Sequence, residues 1–139
     1  MTVFEGAGVA IITPFHEDGS INYDKLDELI DFHCANGTDA IVICGTTGES
    51  STLSEEEHMD CVKFTIERTK GRLPVIAGTG SNSTYTAIEM SREASEAGAD
   101  GLLQMCIRDR PEGAAGEQRS RSVFFFSGSD LDGRRKRTG

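Results

Sequence analysis

Two adjacent threonines between glycines, in the segment GTTGES at residues 45–50, are the residue types best suited to chemistry in this chain. The hydroxyls of Thr46 and Thr47 can donate and accept hydrogen bonds without carrying charge. Gly45 and Gly48 lack a Cβ, so a small ligand can approach the backbone closely. Such a loop can bind a small anion or pass a proton, and we predict that it is the chemical site.

The loop directly follows an apolar run at residues 40–44, which is typical of a strand buried on both faces of a parallel sheet. Further short apolar runs predict strands at residues 9–13, at residues 74–78 and from residue 101 onward. Substrates of parallel α/β proteins bind at the carboxyl ends of the strands. The predicted place of the loop therefore suits a substrate-binding role.

Amphipathic segments between these strands predict helices at residues 23–35, from Ser54 to about residue 70, and at residues 84–97. Ser54 and Glu57 have the spacing of a capping box. The buried face of the last helix is expected to include Ile88, Met90 and Ala94. This alternation predicts an α/β fold of three βα units and the start of a fourth strand. Periodicity alone allows an open flavodoxin-like sheet and part of a closed barrel equally.

Composition excludes several classes of function. The chain has 139 residues and a formal net charge of −9, and its acidic first part, residues 1–104, disfavours nonspecific nucleic-acid binding. A localisation or nucleic-acid patch in the basic cluster at residues 134–137 is the minor alternative. No apolar run reaches the roughly 18 residues of a membrane span, and no basic-then-apolar leader is present at the N-terminus. The four cysteines show neither paired spacing nor a metal-ligand pattern. We therefore expect reduced thiols, a cytoplasmic location, no metal and no membrane partner.

The segment GTDAIVICGTTGES at residues 37–50 resembles the signature of the dihydrodipicolinate synthase family. Three flanking segments are similar to the same family in order and spacing: GVAIITPF at 8–15, LSEEEH at 53–58 and PVIAGTG at 74–80. The resemblance extends through about residue 103 and implies that residues 1–104 form the first part of a (β/α)8 TIM barrel. The double threonine favours the synthase over N-acetylneuraminate lyase, a related pyruvate-dependent aldolase that stays the alternative.

The resemblance implies a lyase that condenses pyruvate with aspartate 4-semialdehyde in lysine and diaminopimelate biosynthesis. Family members form a Schiff base between pyruvate and a lysine, need no cofactor or metal, and are cytoplasmic homotetramers. By position, Thr46 matches the family's proton-relay threonine and Thr47 matches the threonine that binds the pyruvate carboxylate. The resemblance thus assigns Gly45 and Gly48 to the turn around the substrate. Glu49 is expected to have a structural hydrogen-bonding role instead.

Other positions match those at which family members bind lysine as a feedback inhibitor at a subunit interface: Ser50, Ser51, His58, Gly80 and Asn82. Glu55 stands where a histidine is common in the family, and Thr86 stands where a glutamate is common. Lysine sensitivity is therefore an open expectation. Ordinary capping or surface roles for Ser50, His58 and Asn82 are an equal alternative.

The resemblance stops after residue 103, where Arg108 and Asp109 stand in place of the family's tyrosine pair. The four lysines match no Schiff-base position, because they lie on or after predicted outer helices or in the C-terminal segment: Lys25, Lys63, Lys70 and Lys136. We therefore expect that this chain alone is inactive. A noncatalytic truncated polypeptide, open at its first and fourth strands and prone to associate, is the second hypothesis.

The last segment, residues 105–139, differs in character from the rest. It contains seven of the ten arginines and shows no regular periodicity. Residues 105–110, MCIRDR, are similar to the translation of a transposon adapter end used in sequencing libraries. We expect this tail to be irregular, outside the family, and disordered or artefactual.

Overall fold

The computed structural model describes residues 3–105 and 123–127. Its elements in chain order are β1 (Gly8–Ala10), α1 (Tyr23–Ala35), β2 (Ala40–Ile43), α2 (Glu55–Thr69), β3 (Val75–Gly78), α3 (Thr84–Ala97), β4 (Gly101–Met105) and β5 (Val123–Ser127). The predicted alternation of strands and helices through β4 is confirmed. The first strand is shorter than predicted, because its pairing with β2 as a strand ends at Ala10.

The sheet has the order β1-β2-β3-β4-β5, and its first four strands are parallel. One face of it packs against all the described helices, through side chains that include Ile41, Ile43, Val75 and Leu102. The opposite face carries a second, smaller cluster around Val42 and Ile76. Sequential order with the helices on one face is the arrangement of a barrel wall. A flavodoxin-like sheet would reverse its strand order and place helices on both faces, so the structure decides between these alternatives.

The strand β5 departs from the expectation of an irregular tail. Val123–Ser127 pairs antiparallel with β4, with Leu102 opposite Phe126 and Met105 opposite Val123. The run VFFF has high strand propensity, and the outer edge of β4 offers unpaired backbone groups to such a segment. The expectation of irregularity is therefore wrong for these residues. Residues 106–122 and 128–139, which include Arg108, Asp109 and Lys136, lie outside the described part.

The helix ends follow the local signals in the sequence. The side chain of Asn22 accepts a hydrogen bond from the backbone N–H of Lys25 and caps α1. Ser54 and Glu57 form the predicted capping box at the start of α2. Gly98 ends α3 with φ of 98°, a left-handed conformation that glycine adopts without a Cβ clash.

The buried face of α3 was predicted only in part. Met90 and Ala94 are buried as expected, but Ile88 is 51% exposed. Tyr85, three residues earlier on the same helix, is also exposed. These two side chains lie on a face of α3 that no described element covers.

Within residues 3–105 and 123–127, no helix has the length and apolar character needed to cross a bilayer. The same residues contain no group of three or more His, Cys, Asp or Glu side chains that could hold a metal ion.

Candidate functional site

The predicted chemical loop forms a turn at the carboxyl end of β2. Thr46 and Thr47 are exposed there, whereas Gly45 and Gly48 are buried. The turn is closed by a hydrogen bond from the Glu49 N–H to the Thr46 carbonyl, at 3.1 Å. Both threonines are therefore exposed to solvent on a turn whose backbone is internally bonded.

The turn is bounded by two residues in the left-handed region, Cys44 with φ of 53° and Glu49 with φ of 55°. Residues other than glycine adopt this conformation at a cost of about 1–2 kcal/mol, and such residues concentrate at functional sites. The sharp change of direction at Cys44 takes the chain out of β2 and into the turn.

The neighbouring strand β3 approaches this turn closely. A Cβ on Gly78 would lie 2.3 Å from the carbonyl oxygen of Cys44, so only glycine fits there without movement of the backbone. The carbonyl of Gly78 accepts a hydrogen bond at 2.6 Å from Nε2 of His58, which is 3% exposed. The first residues of α2 thus support the ends of both β2 and β3.

The environment of His58 sets its protonation state. Burial lowers the pKa of the His58 imidazole below its ordinary value of 6.5, and the bond to the Gly78 carbonyl opposes this effect. A carbonyl can only accept, so the Nε2 atom carries the proton in the neutral ring. His58 is therefore a neutral, hydrogen-bonded support beneath the loop that follows β3.

The thiol of Cys44 is also buried next to the turn. The neighbouring Cys61 thiol and burial both raise the pKa of Cys44, so its thiol stays protonated at neutral pH. Its Sγ atom donates to the His58 carbonyl at 3.7 Å. A protonated buried thiol has a packing role here and is a poor nucleophile.

The positions matched to a lysine effector are divided by the structure. Ser51 is exposed in the turn after β2, and Gly80 and Asn82 are exposed in the loop after β3. Ser50 is half-buried, and His58 is buried with its ring bonded to Gly78. Because β2 and β3 are parallel neighbours, the two loops lie at the same end of the sheet.

Sequence reasoning missed two polar supports of this end of the sheet. Thr13, after β1, donates a hydrogen bond from Oγ1 to the Gly48 carbonyl at 2.7 Å. Behind β3, Ser91 donates to the Thr79 hydroxyl at 3.0 Å and accepts from Nε2 of Gln104. The available signal was the position of these threonines, since Thr13 ends one predicted strand and Thr79 directly follows another.

Comparison with known proteins agrees with this geometry. Residues 3–106 match the Dihydrodipicolinate synthetase family. The chain is 66% identical over 103 residues to the 4-hydroxy-tetrahydrodipicolinate synthase of Lachnoclostridium phytofermentans, a match that covers 74% of this chain and 35% of that protein. It is 63% identical over 101 residues to the enzyme of the same name from Geobacter sulfurreducens, covering 73% of this chain and 34% of that one.

Solved structures give the same result. The dihydrodipicolinate synthase of Aquifex aeolicus is 53% identical with a TM-score of 0.71, over 73% of this chain and 34% of that one. The chloride-inhibited enzyme of Acinetobacter baumannii, complexed with pyruvate, is 47% identical with a TM-score of 0.72, over 74% and 35%. The chain thus spans about a third of the length of these relatives. It belongs to the dihydrodipicolinate synthase family and contains the first part of that family's (β/α)8 barrel.

Proposed function

We propose that the protein represented by this chain is a 4-hydroxy-tetrahydrodipicolinate synthase, a lyase that condenses pyruvate with aspartate 4-semialdehyde in lysine and diaminopimelate biosynthesis. The observation that supports this most directly is the exposed Thr46–Thr47 pair at the carboxyl end of β2. A related structure with the same fold holds pyruvate. The curated relatives named above are all synthases, which favours this activity over that of N-acetylneuraminate lyase.

In this proposal Thr47 binds the pyruvate carboxylate, helped by backbone N–H groups around Gly45 and Gly48. Holding the carboxylate orients the ketone toward the attacking lysine amine, which lowers the entropic cost of forming the Schiff base. The imine withdraws electrons, so the pyruvate methyl can lose a proton and attack the aldehyde. Thr46 relays a proton in these steps, because its hydroxyl accepts one proton as it donates another.

The Schiff-base lysine and the relay tyrosines belong to parts of the family's barrel that residues 3–105 do not include. We therefore propose that the chain by itself is catalytically inactive. We also propose that residues 1–104 are a barrel segment and residues 105–139 a tail outside the family. The whole protein is proposed to be a cytoplasmic homo-oligomer that needs no cofactor.

A lysine effector site is a further part of the proposal. Ser51, Gly80 and Asn82 are exposed on adjacent loops and can offer polar groups to an amino acid. Ser50 borders them, and His58 would support the β3 loop from beneath through Gly78. Titrating a completed enzyme with lysine would test this part separately from catalysis.

The experiment that tests the proposed function uses a chimera in which the barrel is complete. Residues 3–103 of this chain would replace the matching part of the Lachnoclostridium phytofermentans synthase, and condensation of pyruvate with aspartate 4-semialdehyde would be measured. We expect an active chimera in which Thr46→Val lowers kcat by about 100-fold or more, since a positioned proton relay contributes about that factor. Thr46→Ser keeps the hydroxyl and should retain most of the activity. Thr47→Val should mainly raise KM for pyruvate.

Borohydride reduction with labelled pyruvate provides a second measurement. A stable adduct should form on the chimera and not on the 139-residue chain. A folded chimera that forms no adduct, or a Thr46→Val chimera with undiminished kcat, would contradict the proposal. Cleavage of N-acetylneuraminate in place of the condensation would support the alternative lyase.

A further inference from the structure

The loop that carries Thr46 and Thr47 is held by a side chain from a different part of the sheet. Thr13 is 3% exposed, and its Oγ1 atom donates to the carbonyl oxygen of Gly48 at 2.7 Å. The two residues lie 35 positions apart in the sequence. This buried bond therefore connects the segment after β1 to the middle of the loop after β2.

Backbone hydrogen bonds hold the chain on both sides of the donor, Thr13. Before Thr13, the N–H of Ile11 donates to the Val42 carbonyl at 3.1 Å and continues the pairing of β1 with β2. After it, the Pro14 carbonyl accepts from the Asn22 N–H at 2.9 Å, and the proline ring restricts φ. Because both flanks are held, the Thr13 hydroxyl acts as a fixed point and does not follow the loop.

The acceptor is the residue that most needs such a constraint. Glycine has no Cβ to limit its φ and ψ angles, so Gly48 alone would let the turn adopt several conformations. Its α-carbon is closely packed on the inner side: a Cβ there would lie 3.2 Å from the backbone of Cys44 and 3.3 Å from the Ile11 carbonyl. The Thr13 bond orients the peptide that follows Gly48, and the adjoining Thr46 and Thr47 stay exposed on the outer side.

We propose that Thr13 is a positioning residue for the substrate loop: its hydroxyl fixes the Gly48 peptide and thereby the direction in which Thr46 and Thr47 present their hydroxyls. The naming of pyruvate as the ligand of that loop rests on the proposed function. The ordering of the loop by Thr13 does not depend on it.

The first test follows loop order directly in the full 139-residue chain. Amide hydrogen exchange would be measured by NMR for wild type, Thr13→Val and Thr13→Ser. In Thr13→Val we expect the amides of Glu49 and Ser50, which bond within the turn, to exchange about tenfold faster or more. Amides within β2 and β3 should keep their protection, and Thr13→Ser should behave like wild type.

The matched control is Thr69→Val. Thr69 is also a buried threonine whose hydroxyl donates to backbone carbonyls, but it lies at the far end of α2. Any general cost of replacing a buried hydroxyl with a methyl group should appear in this variant too. Its turn amides should exchange as they do in wild type.

The second test uses the completed chimera described above. Thr13→Val should lower kcat/KM for pyruvate by about tenfold or more, because small displacements of positioning groups have effects of that size. Thr13→Ser should restore kcat/KM to within about threefold of wild type. Thr69→Val should leave it unchanged.

Thr13→Val with wild-type exchange in the turn, or with the same effect as Thr69→Val in both tests, would overturn the inference. If Thr13→Val does not fold, Thr13→Ala removes the same hydroxyl without adding a methyl group, and the same comparisons apply. If the wild-type chimera forms no pyruvate adduct, the proposed function fails. The exchange measurement then still decides whether Thr13 orders the loop.

Discussion

At the scale of single residues, the described site depends on side chains that donate hydrogen bonds to backbone carbonyls far away in the sequence. His58 is the clearest case after Thr13, because its buried ring satisfies the Gly78 carbonyl at the end of β3. A charged imidazole at this position would lose its hydration. The charged ring could still donate to Gly78, so the cost of protonating it comes from this lost hydration.

This protonation state predicts a pH dependence of stability. The folded-state pKa of His58 lies below its ordinary value of 6.5, so the unfolded chain binds the proton more readily. The stabilising contribution is complete above that value and is lost as the pH falls below it. We expect the urea midpoint of the chain to fall between about pH 7 and about pH 5.

His58→Gln is the matched variant, since its amide can still donate to Gly78 but does not titrate. Its midpoint should fall less over the same interval, whereas carboxylates contribute equally to both chains. An identical pH dependence in His58→Gln and wild type would show that His58 is not the titrating group.

At the scale of elements, α2 places this histidine and therefore depends on its own N-terminus. Ser54 accepts from the Glu57 N–H at 3.2 Å, and the Glu57 carboxylate accepts from the Ser54 N–H at 2.9 Å. The bond from the Ser54 N–H, followed by the Ser54 hydroxyl, holds the pKa of the Glu57 carboxyl below its usual range. His58 follows directly, so the cap and the support of β3 belong to the same helical turn.

Removing the cap should weaken this turn. Ser54→Ala is expected to lower the free energy of unfolding by about 1 kcal/mol, because the Glu57 N–H loses the Ser54 hydroxyl as its acceptor. Ser54→Asp keeps an acceptor and should stay close to wild type. Urea unfolding at neutral pH measures both variants, and equal loss in Ala and Asp would indicate that side-chain capping contributes nothing here.

At the scale of the whole molecule, the described sheet is an open part of a barrel. Among its strands, β1 pairs only with β2, while β5 covers the outer edge of β4. In a closed eight-stranded barrel the first strand would also pair with the last. An open edge favours pairing with another chain, so association is expected at the two terminal strands, β1 and β5, and not at β4.

Placing a charge on the β1 edge tests whether the chain associates through it. Ala10 is exposed at the end of β1, and Ala10→Lys should reduce self-association because a lysine on an edge strand disfavours pairing. Ala35→Lys adds the same charge at an exposed position on α1 and should not reduce it. Sedimentation velocity over a tenfold range of about micromolar concentrations gives the measurement. Equal association of both variants would exclude the β1 edge as the contact.

The sequence predicted the loop of the candidate site but not the buried side chains that support it. The GTTGES segment after an apolar run sufficed to place Thr46 and Thr47 at the carboxyl end of a strand, since strand and turn are encoded by neighbouring residues. Thr13 was missed because its partner lies 35 residues away, and its place at the end of a predicted strand does not identify that partner. The burial of His58 was missed for the same reason, because it depends on where β3 passes α2.

Local signals in the sequence alone determined the helix ends at Asn22, Ser54 and Gly98, the alternation of strands and helices through β4, and the family, because each depends on residues close together in the chain. Only the tertiary structure decided the barrel-like order of the sheet, the pairing of β5 with β4, and the exposure of Ile88. These features depend on which surfaces meet after the chain has folded. The spacing of apolar residues along the sequence does not indicate which surfaces those are.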